Sequence, residues 1–281
     1  MTGQQLLVGA ITRLKAAGVD DPARDARRLL AQALQVAPGR LTLHLADLMT
    51  EAQAQLFEQQ LTRRAAREPV SHLVGTRAFY GLEFAVTPDV LDPRPETETL
   101  VEQCLAQRFS SVLDLGTGSG CILIALLANA PHARGTGTDQ SAAALRIAAQ
   151  NAEALGVADR AVFEHGDWFE AVATGARFDL IVSNPPYIAI DEMARLSPEL
   201  SYEPRRALTD EADGLTAYRV ITQGAGVHLT PRGRLAVEIG PTQADAVSDL
   251  FRTNGFSEIA VHTDLDGRDR VVTGVSSPQM V

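Results

Sequence analysis

Cysteine is almost missing from this 281-residue chain. Cys104 and Cys121 are the only two, 17 positions apart and without a CxxC pair, so neither a disulfide framework nor a thiolate zinc site is suggested and a reducing compartment fits. Long apolar runs are missing too. The longest, Cys121 to Ala128, is far too short to span a bilayer, and the amino terminus MTGQQLLVGAITRLKAAG has no basic stretch leading into an unbroken apolar one. A soluble, cytoplasmic protein with no membrane partner is expected. Positive charge is scarce: Lys15 is the only lysine, and 25 basic residues face 35 acidic ones for a net −10. A broad phosphate-neutralising surface is not expected on such a chain, which disfavours nucleic acid as a direct partner. The six histidines are scattered. His72 has no base, nucleophile or metal partner nearby in sequence and reads as structural, and no metal site is inferred.

What is present is ordinary globular material, 45% hydrophobic and 21% charged, enough for one large domain or two modest ones. The charge is unevenly placed. Residues 1–90 carry 10 basic against 9 acidic side chains, and residues 91–281 carry 15 against 26. That asymmetry sets a first boundary near residue 90.

Residues 1–70 read as a small helical bundle. Ala26, Leu29, Leu30, Ala33 and Leu34 recur at helical spacing behind the Asp21-Pro22 start. Thr50-Glu51-Ala52-Gln53 has the form of a capping box opening a helix to about Arg67. From Ser71 to Val90 the period changes to alternation, with Leu82, Phe84 and Val86 following a Tyr80-Gly81 turn; this predicts a β-hairpin over 71–90, read as a connector. From residue 91 to 275, seven strand candidates alternate with helices. They predict a doubly wound, mostly parallel sheet with an antiparallel pair at its end. Residues 276–281 read as a loose tail.

Two segments carry chemistry. Asp114-Leu115-Gly116-Thr117-Gly118-Ser119-Gly120 follows an apolar strand and opens an apolar helix, where glycines let backbone approach a ligand at the carboxyl end of a sheet. The spacing is one residue shorter than G-x-G-x-x-G and no P-loop lysine follows, which disfavours nicotinamide and triphosphate ligands. Asp139 ends the next strand, 23 residues after Gly116, where a carboxylate can accept from both hydroxyls of a ribose. A helix cap is its alternative role. After the third strand, Asp167 and Trp168, the only tryptophan, pair a hydrogen-bond acceptor with a flat ring, a combination suited to adenine. The outline is a nucleoside pocket without phosphate handling.

This constellation resembles the class I methyltransferases that use S-adenosylmethionine, with their Rossmann-like sheet. The resemblance implies S-adenosylmethionine as cofactor. Gly116, Thr117, Gly118, Ser119 and Gly120 would pass the methionine part, Asp114 would orient the loop or the amino group, Asp139 would hold the ribose, and Asp167 and Trp168 would border the adenine. Asn184 would also contact the cofactor.

The second segment is Ser183-Asn184-Pro185-Pro186-Tyr187, directly after a strand ending at Val182. Successive prolines fix the backbone and present their preceding carbonyls rigidly. The Asn184 side-chain oxygen and the Pro185 carbonyl supply two acceptors, matching the two N–H bonds of a planar amino group. An amide nitrogen is a poor nucleophile because its lone pair is delocalised. Two acceptors hold it in line with the methyl donor and stabilise the charge that develops on it. Tyr187 can pack on the planar group, so Asn184, Pro185 and Tyr187 are the candidate catalytic residues, and Pro186 completes the substrate contact. In a methyltransferase setting the tetrapeptide resembles that of enzymes acting on adenine N6 or on glutamine amides.

Further segments resemble the release factor glutamine methyltransferases of the HemK/PrmC family: Arg67-Glu68-Pro69-Val70 with His72-Leu73 and Gly75, Pro93-Arg94-Pro95-Glu96-Thr97-Glu98, Tyr202-Glu203-Pro204 with Ala207-Leu208, and Asp213-Gly214-Leu215 with Tyr218 and Arg219. The likeness covers nearly the whole chain. It implies methyl transfer to the side-chain amide nitrogen of the glutamine in the Gly-Gly-Gln loop of class 1 peptide chain release factors, by a monomer whose first 70 residues grip the substrate. It also implies that Pro93–Glu98 lines the cofactor side and that the Glu203-Pro204 loop faces the substrate. The alternatives are the ribosomal protein glutamine methyltransferases, an adenine N6 methyltransferase opposed by the acidic catalytic part, and a non-catalytic nucleoside-binding partner of a translation factor.

Overall fold

The computed structural model describes residues 1–276; residues 277–281, nearly all of the expected tail, lie outside the described residues. Contacts divide the chain into two compact units, 1–76 with 197–202, and 77–196 with 203–281.

The first unit contains α1 (Gly3–Ala16), α2 (Pro22–Ala33), α3 (Glu51–Ala65) and the short α4 (Val70–Val74). Local chemistry starts these helices. Asp21 accepts from the Arg24 backbone with Pro22 in the first turn of α2, and Thr50 and Gln53 close a reciprocal capping box on α3. The bundle core holds Leu14, Leu29, Leu30 and Leu41, all fully buried. Residues 70–74 are helical rather than extended, a departure from the hairpin expected to begin at Ser71. Pro69 opens this turn and Gly75, at φ 77°, closes it in the left-handed region that favours glycine.

The segment 197–202 joins this unit through charge. Arg64 is buried and donates to Asp25 (2.7 Å) and to Glu199 (3.0 Å), and Arg67 donates to Glu199 with Nε and Nη2, both at 2.8 Å. These donors hold the Glu199 carboxyl down at about 2, against the opposing effect of its partial burial.

The second unit begins with the hairpin β1 (Thr76–Phe79) and β2 (Leu82–Ala85), turned at Tyr80 and Gly81. Both turn residues have positive φ, 48° and 75°, the requirement of a two-residue turn matched to strand twist. The hairpin contributes Phe79 and Phe84, fully buried, to the same core as the sheet. Asn151 ties it inward: its side chain accepts from Ala85 N (2.8 Å) and donates to Ala85 O (3.1 Å) and to Ser119 O (2.9 Å).

Then come α5 (Glu98–Leu105), β3 (Ser111–Leu115), α6 (Cys121–Asn129), β4 (Arg134–Asp139), α7 (Ala142–Ala154), β5 (Ala161–His165), β6 (Phe178–Ser183), α8 (Thr216–His228), β7 (Leu229–Glu238), α9 (Ala244–Thr253), β8 (Phe256–Thr263) and β9 (Asp269–Ser276). The sheet runs β5-β4-β3-β6-β7-β9-β8, parallel except for β9, which is antiparallel to both neighbours. This is the expected doubly wound sheet of seven strands. Ser276 ends β9 rather than beginning a tail. Helices cover both faces: Leu123, Ile124 and Leu127 of α6 pack on one, Ile221 of α8 and Phe251 of α9 on the other.

Chain order fixes where a ligand can sit. The chain leaves β3 for β4 on one side and later returns to β6 on the other, which opens a crevice at the carboxyl ends of β3 and β6. Leu115 pairs with both Thr138 and Ser183, so the segments after β3, β4 and β6 emerge level at that edge. No described helix is long and apolar enough to cross a membrane.

Candidate active site

A cavity of roughly 700 Å³, open mouth included, lies at this edge. Gly116 and Gly118 after β3, Asp139 after β4, Asp167 and Trp168 after β5, and Asn184 and Pro186 after β6 all line it. Residues separated by up to 70 positions in sequence therefore converge on one crevice.

The glycine loop is built by backbone geometry. Gly116, Gly118 and Gly120 have φ values of 72°, 55° and 79°, which side-chain-bearing residues adopt only at a cost. The N–H groups of Gly116 and Thr117 both donate to Thr138 O at 2.9 Å, pinning the loop to β4. A Cβ at Gly116 or Gly118 would meet open space, whereas one at Gly120 would lie 2.9 Å from Ile124 and 3.1 Å from Ala148. The first two leave room for a ligand against backbone. The third lets α6 pack on α7.

Asp114, Thr117, Ser119, Gly120, Pro185 and Tyr187 do not line the cavity. Thr117 donates to Asp114 at 2.7 Å behind the loop, and Asp114 is fully buried. Of its two suggested roles, the geometry favours orienting the loop. Burial pushes its carboxyl up to about 7 against the opposing Thr117 bond.

Asp139 accepts from Gly118 N on Oδ2 (2.9 Å) and from Ser141 N on Oδ1 (2.8 Å). Each oxygen retains a spare lone pair, and Asp139 lines the cavity. The helix cap of α7 is Ser141, which accepts from Ala144 N, so Asp139 is spared that task. Trp168 is held at φ 45°, and its carbonyl accepts from Thr138 Oγ1 at 3.2 Å.

The segment after β6 is braced from several elements. Ser183 Oγ donates to Leu115 O (2.7 Å), Asn184 Nδ2 donates to Thr97 Oγ1 (3.2 Å), and Tyr187 OH donates to Glu238 Oε1 (3.3 Å). Gln243 Nε2 donates to Tyr187 O (3.0 Å) and Gly214 O (3.1 Å). Gly214 has φ 75°, and a Cβ there would sit 2.3 Å from Tyr187 O; the Asp213-Gly214-Leu215 turn thus lies directly beneath Tyr187. With Nδ2 engaged by Thr97, Asn184 keeps Oδ1 as a free acceptor, as a clamp for an amino group requires.

Pro93–Glu98 borders the site through Thr97, which touches Asn184. Pro204, Arg206 and Ala207, from the loop expected to face the substrate, line the cavity along with Asp89, Val90 and Leu91. Charge joins the two segments: Arg94 donates to buried Glu203 at 2.6 Å and lies 3.8 Å from Asp92, which Arg77 approaches at 3.5 Å. Burial raises the Glu203 pKa, and Arg94 opposes that rise.

Sequence reasoning missed Glu238, Gln243 and the 89–91 lining. Glu238 is an acid at the end of an apolar strand, a signal available in sequence but without a partner until the fold supplied Tyr187.

Residues 5–75 match the PrmC N-terminal domain and residues 89–214 the methyltransferase small domain. A release factor glutamine methyltransferase of Cereibacter sphaeroides is 55% identical over 97% of this chain and 98% of its own. One of Rhodospirillum rubrum is 47% identical over 95% and 82%. Among solved structures, a methyltransferase of Pyrococcus furiosus superposes with a TM-score of 0.55 at 15% identity, covering 78% of this chain and 98% of its own. A 16S rRNA methyltransferase of T. thermophilus holding AdoMet and guanosine gives 0.51 at 22% identity, over 72% and 49%. The structural likeness carries the methyltransferase fold; the sequence likeness, nearly end to end, carries the family. This chain belongs to the release factor glutamine methyltransferase family.

Proposed function

We propose that the protein transfers a methyl group from S-adenosylmethionine to the side-chain amide nitrogen of a glutamine in peptide chain release factors, the glutamine of the Gly-Gly-Gln loop. The observation that carries the chemistry is the Asn184 side chain, which lines the cavity with its Nδ2 held by Thr97 and its Oδ1 left as an acceptor. The cofactor, when bound, supplies an electrophilic sulfonium methyl.

The residues present fit such a group. Gly116 and Gly118 offer backbone with open space beside it. Asp139 offers two oxygens with spare lone pairs for a ribose diol, and Asp167 with Trp168 borders the space for adenine. Arg206, from the loop after Glu203, brings a positive group to the same cavity, suited to a carboxylate.

On the substrate side, Asn184 Oδ1 and Pro185 O accept the two amide hydrogens, fixing the nitrogen and drawing density toward its lone pair. Orientation of this kind contributes up to several kcal/mol to lowering a barrier. No strong base is needed, because the nitrogen becomes acidic only as it is alkylated. The acidic excess of residues 91–281 suits a protein loop better than a phosphate backbone.

The direct test is incubation of the full chain with labelled S-adenosylmethionine and, separately, an intact release factor, a ribosomal protein and duplex DNA. Label in the release factor alone is expected, and label in either of the others alone overturns the reading. Asp139→Ala is expected to weaken cofactor binding by about tenfold or more in calorimetry, since it removes both the ribose acceptor and the brace on Gly118. Unchanged affinity would remove Asp139 from the cofactor site.

A further inference from the structure

Part of the cavity wall does not come from the ends of the sheet strands. Pro204, Arg206 and Ala207 line it from the long irregular connection between β6 and α8, and Arg206 is the one basic residue at the cavity. Within this stretch the chain turns on itself, Ala207 N donating to Pro204 O (2.8 Å) and Leu208 N to Arg205 O (3.0 Å). Those bonds shape the turn. They do not hold it at the cavity.

Two anchors do, one at each end of the turn. At its carboxyl end, Ile188 N donates to Leu208 O at 3.0 Å and Ile188 bridges to Thr209 in parallel register, which ties the turn to the residue after Tyr187. At its amino end the anchor is a side-chain pair. Glu203 Oε1 accepts from Arg94 Nη2 at 2.6 Å, the glutamate side chain being 1% exposed and the arginine 31%. Arg94 follows closely on Asp89, Val90 and Leu91, the other irregular segment of the lining, and neither Arg94 nor Glu203 lines the cavity itself. The pair thus joins two lining segments from behind. Its base is fixed in turn, because Arg77 of β1 donates from Nε to Pro93 O (3.0 Å) and lies 3.5 Å from Asp92, which lies 3.8 Å from Arg94. The same strand carries Phe79 into the core.

A buried ion pair adds little net stability compared with apolar side chains of the same volume. What it adds is direction, since a short charge-assisted hydrogen bond fixes one geometry. Without Arg94 the Glu203 carboxylate would be buried with its charge uncompensated, so it must take up a proton or swing toward water. Pro204 comes next, and its fixed φ passes the displacement on to the lining.

We propose that Arg94 is a positioning residue for the cofactor: by holding Glu203 it keeps the 204–207 turn, and Arg206 with it, at the cavity wall, an inference that rests on the S-adenosylmethionine reading of the cavity. A wall held in place beforehand lowers the ordering cost of binding, and its loss shows mainly in the dissociation rate.

The test is calorimetry of S-adenosylmethionine binding to the full chain, with the dissociation rate read by chasing labelled cofactor with unlabelled. Arg94→Ala is expected to weaken binding about tenfold or more, most of it as faster dissociation. Arg94→Lys keeps a charged donor for Glu203 and should bind within about threefold of wild type, a rescue that mere loss of a bulky side chain would not show. Glu203→Ala should weaken binding as Arg94→Ala does, and the double variant should be no weaker than either single one, because each removes the same clamp. An Arg94→Ala chain within about twofold of wild type, an Arg94→Lys chain as weak as Arg94→Ala, or single effects that add in the double variant would overturn the proposal. A wild type that binds no S-adenosylmethionine overturns the reading of the cavity beneath it. Should Arg94→Ala fail to fold, Glu203→Gln, which keeps an acceptor for Arg94, is compared with Glu203→Ala: tighter binding by the glutamine variant is expected, and equal affinities overturn the clamp.

Discussion

Asn184→Ala should lower kcat for release factor methylation about a hundredfold to a thousandfold while changing cofactor affinity little. The magnitude follows from removing one preorganised group aimed at charge that develops only in the transition state. In the proposed clamp, Asn184 supplies one of the two acceptors for the amide hydrogens. Without its Oδ1, the nitrogen loses both its placement and the partner that stabilises its growing acidity. The cofactor side is largely independent, because Gly116, Gly118, Asp139, Asp167 and Trp168 line the cavity from other strands. Rapid-quench measurement of the chemical step, with cofactor titrated separately, separates the two. Loss confined to cofactor affinity, with kcat intact, would remove the clamp from the mechanism.

The second large effect is on stability. Arg64→Ala should destabilise the helical unit by about 3 kcal/mol, the lower end of the cost of breaking a buried ion pair. The buried guanidinium serves Asp25 and Glu199, whose side chains are 11% and 19% exposed. Removing it leaves Asp25 with its charge under-compensated inside the bundle. Glu199 suffers less, since Arg67 still reaches it at 2.8 Å and solvent screens part of the loss. Hydrogen exchange at the amides of α2 and α3 measures the change locally. Protection factors equal to wild type would show the network to be energetically idle.

The same groups give stability a pH dependence. The Glu199 carboxyl is depressed to about 2, so its contribution is complete above the ordinary value near 4.5 and is lost as pH falls toward 2. Asp114 and Glu238 act with the opposite sign. Both are raised to about 7, so in the window between their ordinary values and about 7 the folded state binds more protons than the unfolded one. Their ionisation reduces stability as pH rises through that window. The protein keeps two acids whose burial works against the fold, one behind the glycine loop and one behind the Asn184–Tyr187 segment.

Much of the fold was legible because its signals are local. Alternation of short apolar strands with helices, and a glycine run at a strand end, specify a doubly wound sheet and the edge at which it binds ligands. The cap of α2 at Asp21 and the capping box of α3 at Thr50 stand where their residues announce them. Val70–Val74 misled the period because five residues are too few to show one, and their helix is set by Pro69 and Gly75 at its ends. The residues proposed for the cofactor stand at strand ends, and Gly116, Gly118, Asp139, Asp167, Trp168 and Asn184 meet at one cavity.

What was not legible depends on register and long connections. Thr97 and Asn184 are 87 positions apart, and Tyr187 and Glu238 are 51 apart. Nothing in either local sequence announces the partner. The Arg94–Glu203 pair, which joins Pro93–Glu98 to the loop of Pro204, spans 109 positions.

The central claim is that the nitrogen methylated is a glutamine side-chain amide in the Gly-Gly-Gln loop of a release factor. It is tested most directly by tandem mass spectrometry of a release factor after incubation with the full chain and S-adenosylmethionine. One added methyl is expected on the fragment ions that contain that glutamine, and none on the same protein carrying alanine at that position. A methyl found on any other residue, or one retained in the alanine-bearing release factor, would contradict it.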